Sequence, residues 1–302
     1  MRAAPTTLLA GGGSPAAPSP ELVALRAELA TLADPIPAAR DVTISVNRDG
    51  PIRTFDVRGQ GEPIGTIFYV HGGAFCLLRA EPYLKMAGHL ASFTRCRIVM
   101  ADYGLPPEHP FPEPVREVLD AYTAAAAETR DGPLILAADS AGASIGLAAL
   151  RVADDLAVRP PDLVILFSPW LDLTLSGSSV RDNAIRDHQL DAASLAADAA
   201  RYAAGTHLDH PLLSPTEVGT KDHPPLLIQA GGDEILVDDA RRLAASGWAR
   251  GVDVTLQIAP GQQHNYQFWG PLEPAALRAY EAVAARIGHL AERPIARAEG
   301  RA

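Results

Sequence analysis

The stretch "PLILAADSAGASIG", residues 133–146, predicts a buried strand that turns abruptly into a helix. Its first half is apolar, and its second half is a row of small residues around Ser140. Small neighbours allow a backbone turn too tight for larger side chains, and a serine at the tip of such a turn points outward. Ser140 is therefore the candidate nucleophile. The alternative is a serine that only caps the N-terminus of the helix.

From residue 41 onward, predicted strands and helices alternate along the chain. The segments "VTISVN" and "RTFDV" are expected to open the fold as an antiparallel pair. Later strands such as "GTIFYV" and "DLVILFS" are almost continuously apolar, which is typical of strands covered on both faces. The predicted fold class is therefore α/β, with a mostly parallel sheet between two layers of helices. In such a sheet, functional groups gather at the carboxyl ends of the strands.

Two Ala-rich amphipathic segments interrupt this alternation. One is the N-terminal region, residues 1–40, a leader followed by the helical "SPELVALRAELATLA". The other, at about residues 174–215, contains the helical "DAASLAADAARYAAG" and is far longer than an ordinary loop. We expect the two segments to form a helical cap at the carboxyl edge of a core that spans residues 41–302. Alternatively, each segment only covers a face of the sheet.

Composition excludes several classes of partner. The chain has 302 residues, 47% of them hydrophobic, and a net charge of -10, which argues against nucleic acid and anionic membranes as partners.

The sequence also bears on cellular setting. No apolar run approaches the ~18 residues of a membrane span, and the apolar core near the N-terminus is too short for a secretory signal. Two cysteines, Cys76 and Cys96, are too few for a disulfide scaffold and favour a cytoplasmic setting. The oligomeric state stays open, a homodimer included.

A second functional segment, "YVHGGAF", directly follows a predicted strand. Adjacent glycines let backbone N–H groups turn toward a ligand, as an oxyanion hole requires. The predicted donors are Gly72, Gly73 and Ala74, together with the N–H group of Ala141. His71 is expected to support this loop. The alternative is a plain glycine turn.

Two further loops supply a candidate acid and a candidate base. In "AGGDEILVDDA", Asp233 is the first candidate for the acid, and Glu234, Asp238 and Asp239 are rivals expected on or near the helix surface. In "APGQQHNYQF", His264 follows the final predicted strand and is the candidate general base. The chain order of nucleophile, acid and base is that of a triad built on an α/β-hydrolase sheet.

The chain resembles the hormone-sensitive-lipase-like esterases of the α/β-hydrolase superfamily. The motifs that carry the resemblance occur in the family's order: "HGGAF", "DYGLPPEHPFP", "ADSAG", "SPWLDL", "GGDEILVDD" and "QQHNY". The resemblance implies an eight-stranded sheet, an N-terminal cap and hydrolysis of carboxylic esters with no metal or cofactor. It also implies Ser140 as nucleophile, His264 as base and Asp233 as acid. The sequence departs from the family pattern at Ala74 and Ala138, where glycines are usual.

The expected function is therefore that of a serine carboxylesterase, which hydrolyses short-chain or compact small-molecule esters through an acyl-enzyme. A lactone hydrolase and an N- or O-acetyl hydrolase would use the same groups. A non-catalytic small-molecule receptor is the alternative from another class. The residues considered for the wall of an apolar pocket are Leu8, Phe75, Leu171, Tyr202 and Trp269.

Overall fold

The computed structural model describes residue 9, residues 12–219 and residues 221–292. These residues build one eight-stranded sheet with the strand order β1-β2-β4-β3-β5-β6-β7-β8. β2 pairs antiparallel with both β1 and β4, and all other neighbours are parallel. The predicted α/β class and mostly parallel eight-stranded sheet are thus confirmed. The strands are β1 (Thr43–Asn47), β2 (Thr54–Arg58), β3 (Thr66–Val70), β4 (Arg97–Ala101), β5 (Leu134–Asp139), β6 (Leu163–Phe167), β7 (Leu226–Gly231) and β8 (Val254–Ala259).

Helices cover both faces of the sheet. Side chains of successive strand residues point to opposite faces, so Phe68 and Val70 of β3 face one apolar cluster and Ile67 and Tyr69 face the other. The first cluster packs against α3, α4 and α7, and the second packs against α2 and α8. The helices are α1 (Pro20–Leu29), α2 (Leu84–Thr94), α3 (Glu113–Glu128), α4 (Ala141–Asp155), α5 (Ser179–Asp182), α6 (Ala192–Ala203), α7 (Val237–Ala249) and α8 (Pro274–Ala291).

α4 lies unusually close to β3 because it carries glycines on the face toward the sheet. A Cβ atom at Gly142 would overlap the carbonyl oxygens of Val70 and His71. One turn later, a Cβ atom at Gly146 would lie 3.7 Å from the Cβ atom of Ala138. This distance is an ordinary van der Waals contact, so the methyl group of Ala138 fits beside α4 and the departure from the usual glycine is accommodated.

The N-terminal segment contacts loops at the carboxyl edge of the sheet. Arg26 of α1 donates to the carbonyl oxygen of Cys76 at 2.7 Å and to that of Pro106 at 2.6 Å. Its guanidinium also pairs with Glu108 at 2.6 Å. Arg26 thus joins α1 to the segment after β3 and to the segment after β4. Residues 1–8, 10 and 11 of the predicted leader lie outside the described residues.

The second interrupting segment contacts the same loop from another side. Tyr202 of α6 stacks on Phe75 with ring centroids 4.1 Å apart. Just after α6, a Cβ atom at Gly13 would overlap the side chain of Ala204, so the two segments touch. These contacts are those expected of a cap, and the division into core and cap stays a prediction.

The helices and the two cysteines bear on the expected cellular setting. No helix among the described residues is both long and apolar enough to cross a membrane. The thiols of Cys76 and Cys96 are free and buried. A cytoplasmic location stays a prediction.

Candidate active site

Ser140 occupies the sharp turn between β5 and α4. Its backbone has φ 48° and ψ -126°, a conformation that non-glycine residues rarely adopt. Hydrogen bonds on both sides hold the turn: the N–H group of Ser140 donates to Phe167 at 3.0 Å, and Trp170 donates to the Ser140 carbonyl at 3.1 Å. The side chain is displayed beside the N-terminus of α4, where negative charge is favoured.

His264 lies in the loop after β8, as predicted, and reaches Ser140 across the sheet edge. Its Nε2 atom is 2.9 Å from the Oγ atom of Ser140. The next residue, Asn265, donates its backbone N–H group to the Oγ atom of Ser168 at 3.0 Å, which fixes the loop. The structure therefore brings the predicted nucleophile and the predicted base into hydrogen-bonding distance.

The carboxylate beside His264 is that of Glu234, and the choice of Asp233 is wrong. The Nδ1 atom of His264 lies 2.8 Å from the Oε2 atom of Glu234. Glu234 is 0% exposed. Burial raises its pKa, and the hydrogen bond and charge interaction with His264 oppose that rise. Asp233 is only half-buried.

The backbone after β7 explains why the second carboxylate, and not the first, points inward. The N–H group of Asp233 donates to the carbonyl oxygen of Gln262 at 3.1 Å. The Nδ2 atom of Asn183 donates to the carbonyl oxygens of Gly232 at 3.2 Å and Glu234 at 2.8 Å. These bonds fix a turn that directs the Glu234 side chain toward the imidazole, and its extra methylene group gives the required reach.

The other two rival carboxylates have structural partners. Asp239 is buried, against the expectation that it lies near the helix surface. Its Oδ2 atom accepts the N–H groups of Leu171 at 2.7 Å and Asp172 at 2.9 Å. Asp238 is half-buried and accepts the N–H group of Ser179 at 2.9 Å. Both carboxylates therefore tie α7 to the segment after β6.

The loop after β3 offers fewer oxyanion donors than predicted. The N–H group of Gly72 donates to the Oδ1 atom of Asp139 at 2.9 Å, so its prediction as an oxyanion donor is wrong. Gly73 and Ala74 have φ angles of 104° and 49°. Within the described part of the chain, their N–H groups donate to no backbone carbonyl. Ala141, the first residue of α4, has no intrahelical acceptor for its N–H group.

His71 supports this loop from below. Its ring stacks on Tyr103 with centroids 4.3 Å apart, and its Nδ1 atom lies 2.9 Å from the carbonyl oxygen of Gly72. Tyr103 donates its hydroxyl group to the carbonyl oxygen of His71 at 2.6 Å. Complete burial lowers the pKa of His71 to about 4, so the ring is neutral at pH 7. These contacts suit a structural support.

Aromatic side chains fill the space beside the oxyanion loop. Phe75 lies between Tyr202 at 4.1 Å and Trp170 at 5.1 Å, measured between ring centroids. Leu171 is buried in the same apolar cluster. Trp269 packs against the apolar cluster on the opposite face of the sheet, and its place in a pocket wall stays a prediction. Leu8 lies outside the described residues.

One group of side chains has the composition of a cation site. Polar atoms of His109, Glu113 and Glu117 lie within 4.8 Å of one another. They already have partners, since His109 pairs with Glu113 at 2.7 Å and Glu117 accepts the N–H group of Gly104 at 2.6 Å. The group therefore braces the loop after β4, and we assign no metal to it.

The structure brings together a serine at a strand-to-helix turn, a histidine after the last strand and a buried carboxylate after β7. This arrangement, on this sheet, is that of the α/β-hydrolases. Residues 67–268 match a protein-family model described as an alpha/beta hydrolase fold, and the chain belongs to that family.

Relatives with known names agree with this assignment. The chain is 35% identical to an acetyl-hydrolase of Streptomyces hygroscopicus over 221 residues, which cover 73% of this chain and 74% of that protein. It is 33% identical to an esterase of Acinetobacter venetianus over 264 residues, 86% of this chain and 87% of that protein. These names agree with the predicted enzyme class, a carboxylic ester hydrolase.

Solved structures give the same result. A hormone-sensitive-lipase homologue from a metagenome library has a TM-score of 0.83 and 29% identity, covering 88% of this chain and 92% of that one. A hormone-sensitive lipase from a metagenome library has a TM-score of 0.85 and 28% identity, with coverage of 90% and 94%. The resemblance to hormone-sensitive-lipase-like esterases is confirmed.

Proposed function

We propose that Ser140, His264 and Glu234 form the catalytic triad of a carboxylesterase that acts on small esters through an acyl-enzyme. The observation that carries this proposal is the unbroken chain of two hydrogen bonds, 2.8 Å from Glu234 to His264 and 2.9 Å from His264 to Ser140. A serine hydroxyl is a weak nucleophile at neutral pH, and a base that is itself oriented by a carboxylate activates it.

The reaction follows from this geometry. The Nε2 atom of His264 takes the hydroxyl proton as the Oγ atom of Ser140 bonds to the ester carbonyl carbon. Glu234 holds the imidazole in the tautomer that exposes Nε2 and stabilises the imidazolium. The alcohol then leaves with the proton from Nε2. Water attacks the acyl group through the same base, and Ser140 regains its proton as the carboxylic acid leaves.

Backbone donors support the charge that appears during both attacks. The N–H groups of Gly73, Ala74 and Ala141 are the proposed oxyanion hole, because they are fixed before the reaction and are not used by backbone carbonyls of the described residues. Ala74 replaces a glycine of the family pattern but retains its N–H group, so the number of donors is unchanged.

The test compares substrates against one inactive variant. The panel contains p-nitrophenyl esters, lactones and N-acetyl compounds. We expect the wild-type enzyme to hydrolyse the esters, and Ser140→Ala should lower the rate of ester turnover by roughly 10³–10⁶-fold. A fluorophosphonate probe should modify Ser140. Labelling of Ser144 or Ser168, or binding without turnover of any substrate, would reject the proposal; the last result would favour a receptor.

The acyl side of the site favours short chains. Phe75, next to Ala74, is enclosed by Tyr202 of α6 and by Trp170. These aromatic rings restrict the room beside the oxyanion loop, and one relative is named an acetyl-hydrolase. We expect kcat/KM to be highest for p-nitrophenyl esters below about C8, a limit set by usual pocket sizes. A value of kcat/KM that rises through C12 and C16 would contradict this expectation. Lactone and acetyl-hydrolase activities are the alternatives in the same panel.

The proposed setting is the cytoplasm, supported by two buried free thiols. Cell fractionation with an antibody against the protein tests it. A homodimer is also proposed, and light scattering at several concentrations tests that state.

A further inference from the structure

Asp139, the residue before Ser140, carries a buried carboxylate on which four donors converge. Tyr69 donates its hydroxyl group at 3.0 Å and Gly72 its N–H group at 2.9 Å to the Oδ1 atom. Tyr83 donates at 3.2 Å and the Nδ2 atom of Asn265 at 2.6 Å to the Oδ2 atom. Asp139 is 2% exposed. All four contacts are donors, an arrangement that suits an anion and not a neutral side chain.

The donors come from separate parts of the proposed active site. Gly72 opens the loop that carries Gly73 and Ala74. Asn265 directly follows His264, and Asp139 itself directly precedes Ser140. One side chain therefore joins the oxyanion loop, the histidine loop and the nucleophile turn.

The carboxylate has no hydrogen bond to a cation within the described part of the chain. The titratable groups that face it are Tyr69 of β3, Tyr83 of the turn before α2, Tyr103 after β4, and His264. Burial holds the pKa of each tyrosine above its usual range, so these groups stay neutral. The imidazole of His264 is the group in this set that gains positive charge during the reaction.

We propose that Asp139 is a positioning residue for the hydrolysis assigned above, and that its ionised carboxylate aligns both loops with Ser140 and favours the imidazolium of His264. This inference rests on the proposed function.

The stability of the fold does not by itself favour the ionised form of the Asp139 carboxyl group. Burial, opposed by the hydrogen bonds, raises the pKa of Asp139 to about 6. A raised carboxyl pKa means that the fold binds the protonated form more tightly than the ionised form. An amide of the same shape accepts through its oxygen only and turns its own N–H donors toward the rest of this set, so the effect of the change on kcat has to be expressed per folded enzyme.

The test is Asp139→Asn, with kcat and KM measured with a short p-nitrophenyl ester and the melting temperature measured at pH 8. We expect kcat to fall roughly 10–100-fold, as for other residues that orient catalytic groups, with KM within about threefold. The melting temperature shows how much stability the variant loses, and kcat is expressed per folded enzyme. A kcat within about threefold of wild type would overturn the inference, and so would a loss of activity matched by loss of folded protein.

A matched control separates this effect from the removal of any buried carboxylate. Asp102, directly after β4, is also buried, but it pairs with Arg53 and Arg79, which hold its pKa below the usual value against the opposing effect of burial. Asp102→Asn should therefore lower the melting temperature and leave kcat per folded enzyme within about threefold of wild type.

A second variant tests the donor network without altering the carboxylate. Tyr83→Phe removes the donor at 3.2 Å from the Oδ2 atom of Asp139, so kcat should fall by a smaller factor than in Asp139→Asn, with KM within about threefold of wild type. A larger fall in kcat for Tyr83→Phe than for Asp139→Asn would overturn the inference. Turnover that survives Ser140→Ala would overturn both proposals, whereas an inactive Ser140→Ala variant beside a fully active Asp139→Asn variant would overturn this one alone.

Discussion

Two adjacent carboxylates, Asp233 and Glu234, differ completely in their surroundings. Glu234→Gln preserves shape but removes the charge that stabilises the imidazolium, so kcat should fall by roughly 10⁴-fold, as when the acid of other triads is replaced by its amide. Asp233→Asn should leave kcat near the wild-type value because Asp233 is half-buried and does not contact His264.

The two variants are each other's control, since they lie on one turn and make the same chemical change. Both should be assayed with a short p-nitrophenyl ester and compared at equal folded concentration. An inactive Asp233→Asn variant beside an active Glu234→Gln variant would return the role of acid to Asp233.

At the residue scale, the sequence predicts some positions of the candidate site and not others. Ser140 and His264 could be located because each follows a recognisable strand, and strand ends meet at one edge of the sheet. The carboxylate beside His264 could not be identified, because the direction of its side chain depends on Asn183, some fifty residues away in the chain, and on Gln262. The Asp139 network was missed for the same reason.

At the scale of elements, the short distance between α4 and β3 fixes the position of Ser140, which directly precedes α4. Gly142→Ala places a Cβ atom against two backbone carbonyls that cannot move aside, and overpacking of this kind costs roughly 1–3 kcal/mol or more. We expect a melting temperature lower by several degrees and a loss of activity as the turn shifts. Thermal unfolding and ester turnover check both.

Gly146→Ala is the matched control on the same helix face. Its new methyl group would lie 3.3 Å from the Cδ2 atom of Leu136, a flexible side chain that can shift slightly, and 3.7 Å from Ala138, an ordinary contact. Helix propensity favours alanine by about 1 kcal/mol, so the net change in stability should be within about 1 kcal/mol. Equal damage from the two variants would show that close approach at Gly142 is not the cause.

The elements themselves follow from local pattern more directly than their packing does. Apolar runs and helical periodicity located the strands and helices of the core to within a few residues. The seating of α1 and α6 depends on single long-range contacts, such as Arg26 to Glu108 and Tyr202 to Phe75, which no local pattern encodes.

For the whole molecule, Asp239 introduces a specific pH dependence of stability. Burial raises its pKa to about 7 from 3.8. Between about pH 4 and pH 7 the folded state keeps a proton that the unfolded chain releases, so this group's contribution to the unfolding free energy decreases as pH rises through that window.

Asp239→Asn should remove this dependence. Both N–H donors bind the single Oδ2 atom, so an amide oxygen can accept both and kcat should stay near normal. Melting temperatures measured from pH 4.5 to 7.5 should fall less steeply with pH for the variant than for the wild type. Parallel curves would mean that Asp239 is ionised throughout this range.

The bonds made by Arg26 have a practical consequence for attaching the enzyme to a solid support. Because α1 is fastened through Arg26 to the carbonyl of Cys76, a load applied to α1 is transmitted within two residues to Ala74. α8 offers no safer point of attachment, because the hydroxyl group of Tyr280 donates to the carbonyl oxygen of Gln267, three residues after His264. β1 lies at the edge of the sheet, beside β2 and remote in the strand order from β5 and β7. A surface linkage through β1 should therefore preserve turnover under mechanical stress, whereas a linkage through α1 should pull directly on the loop of the proposed oxyanion donors.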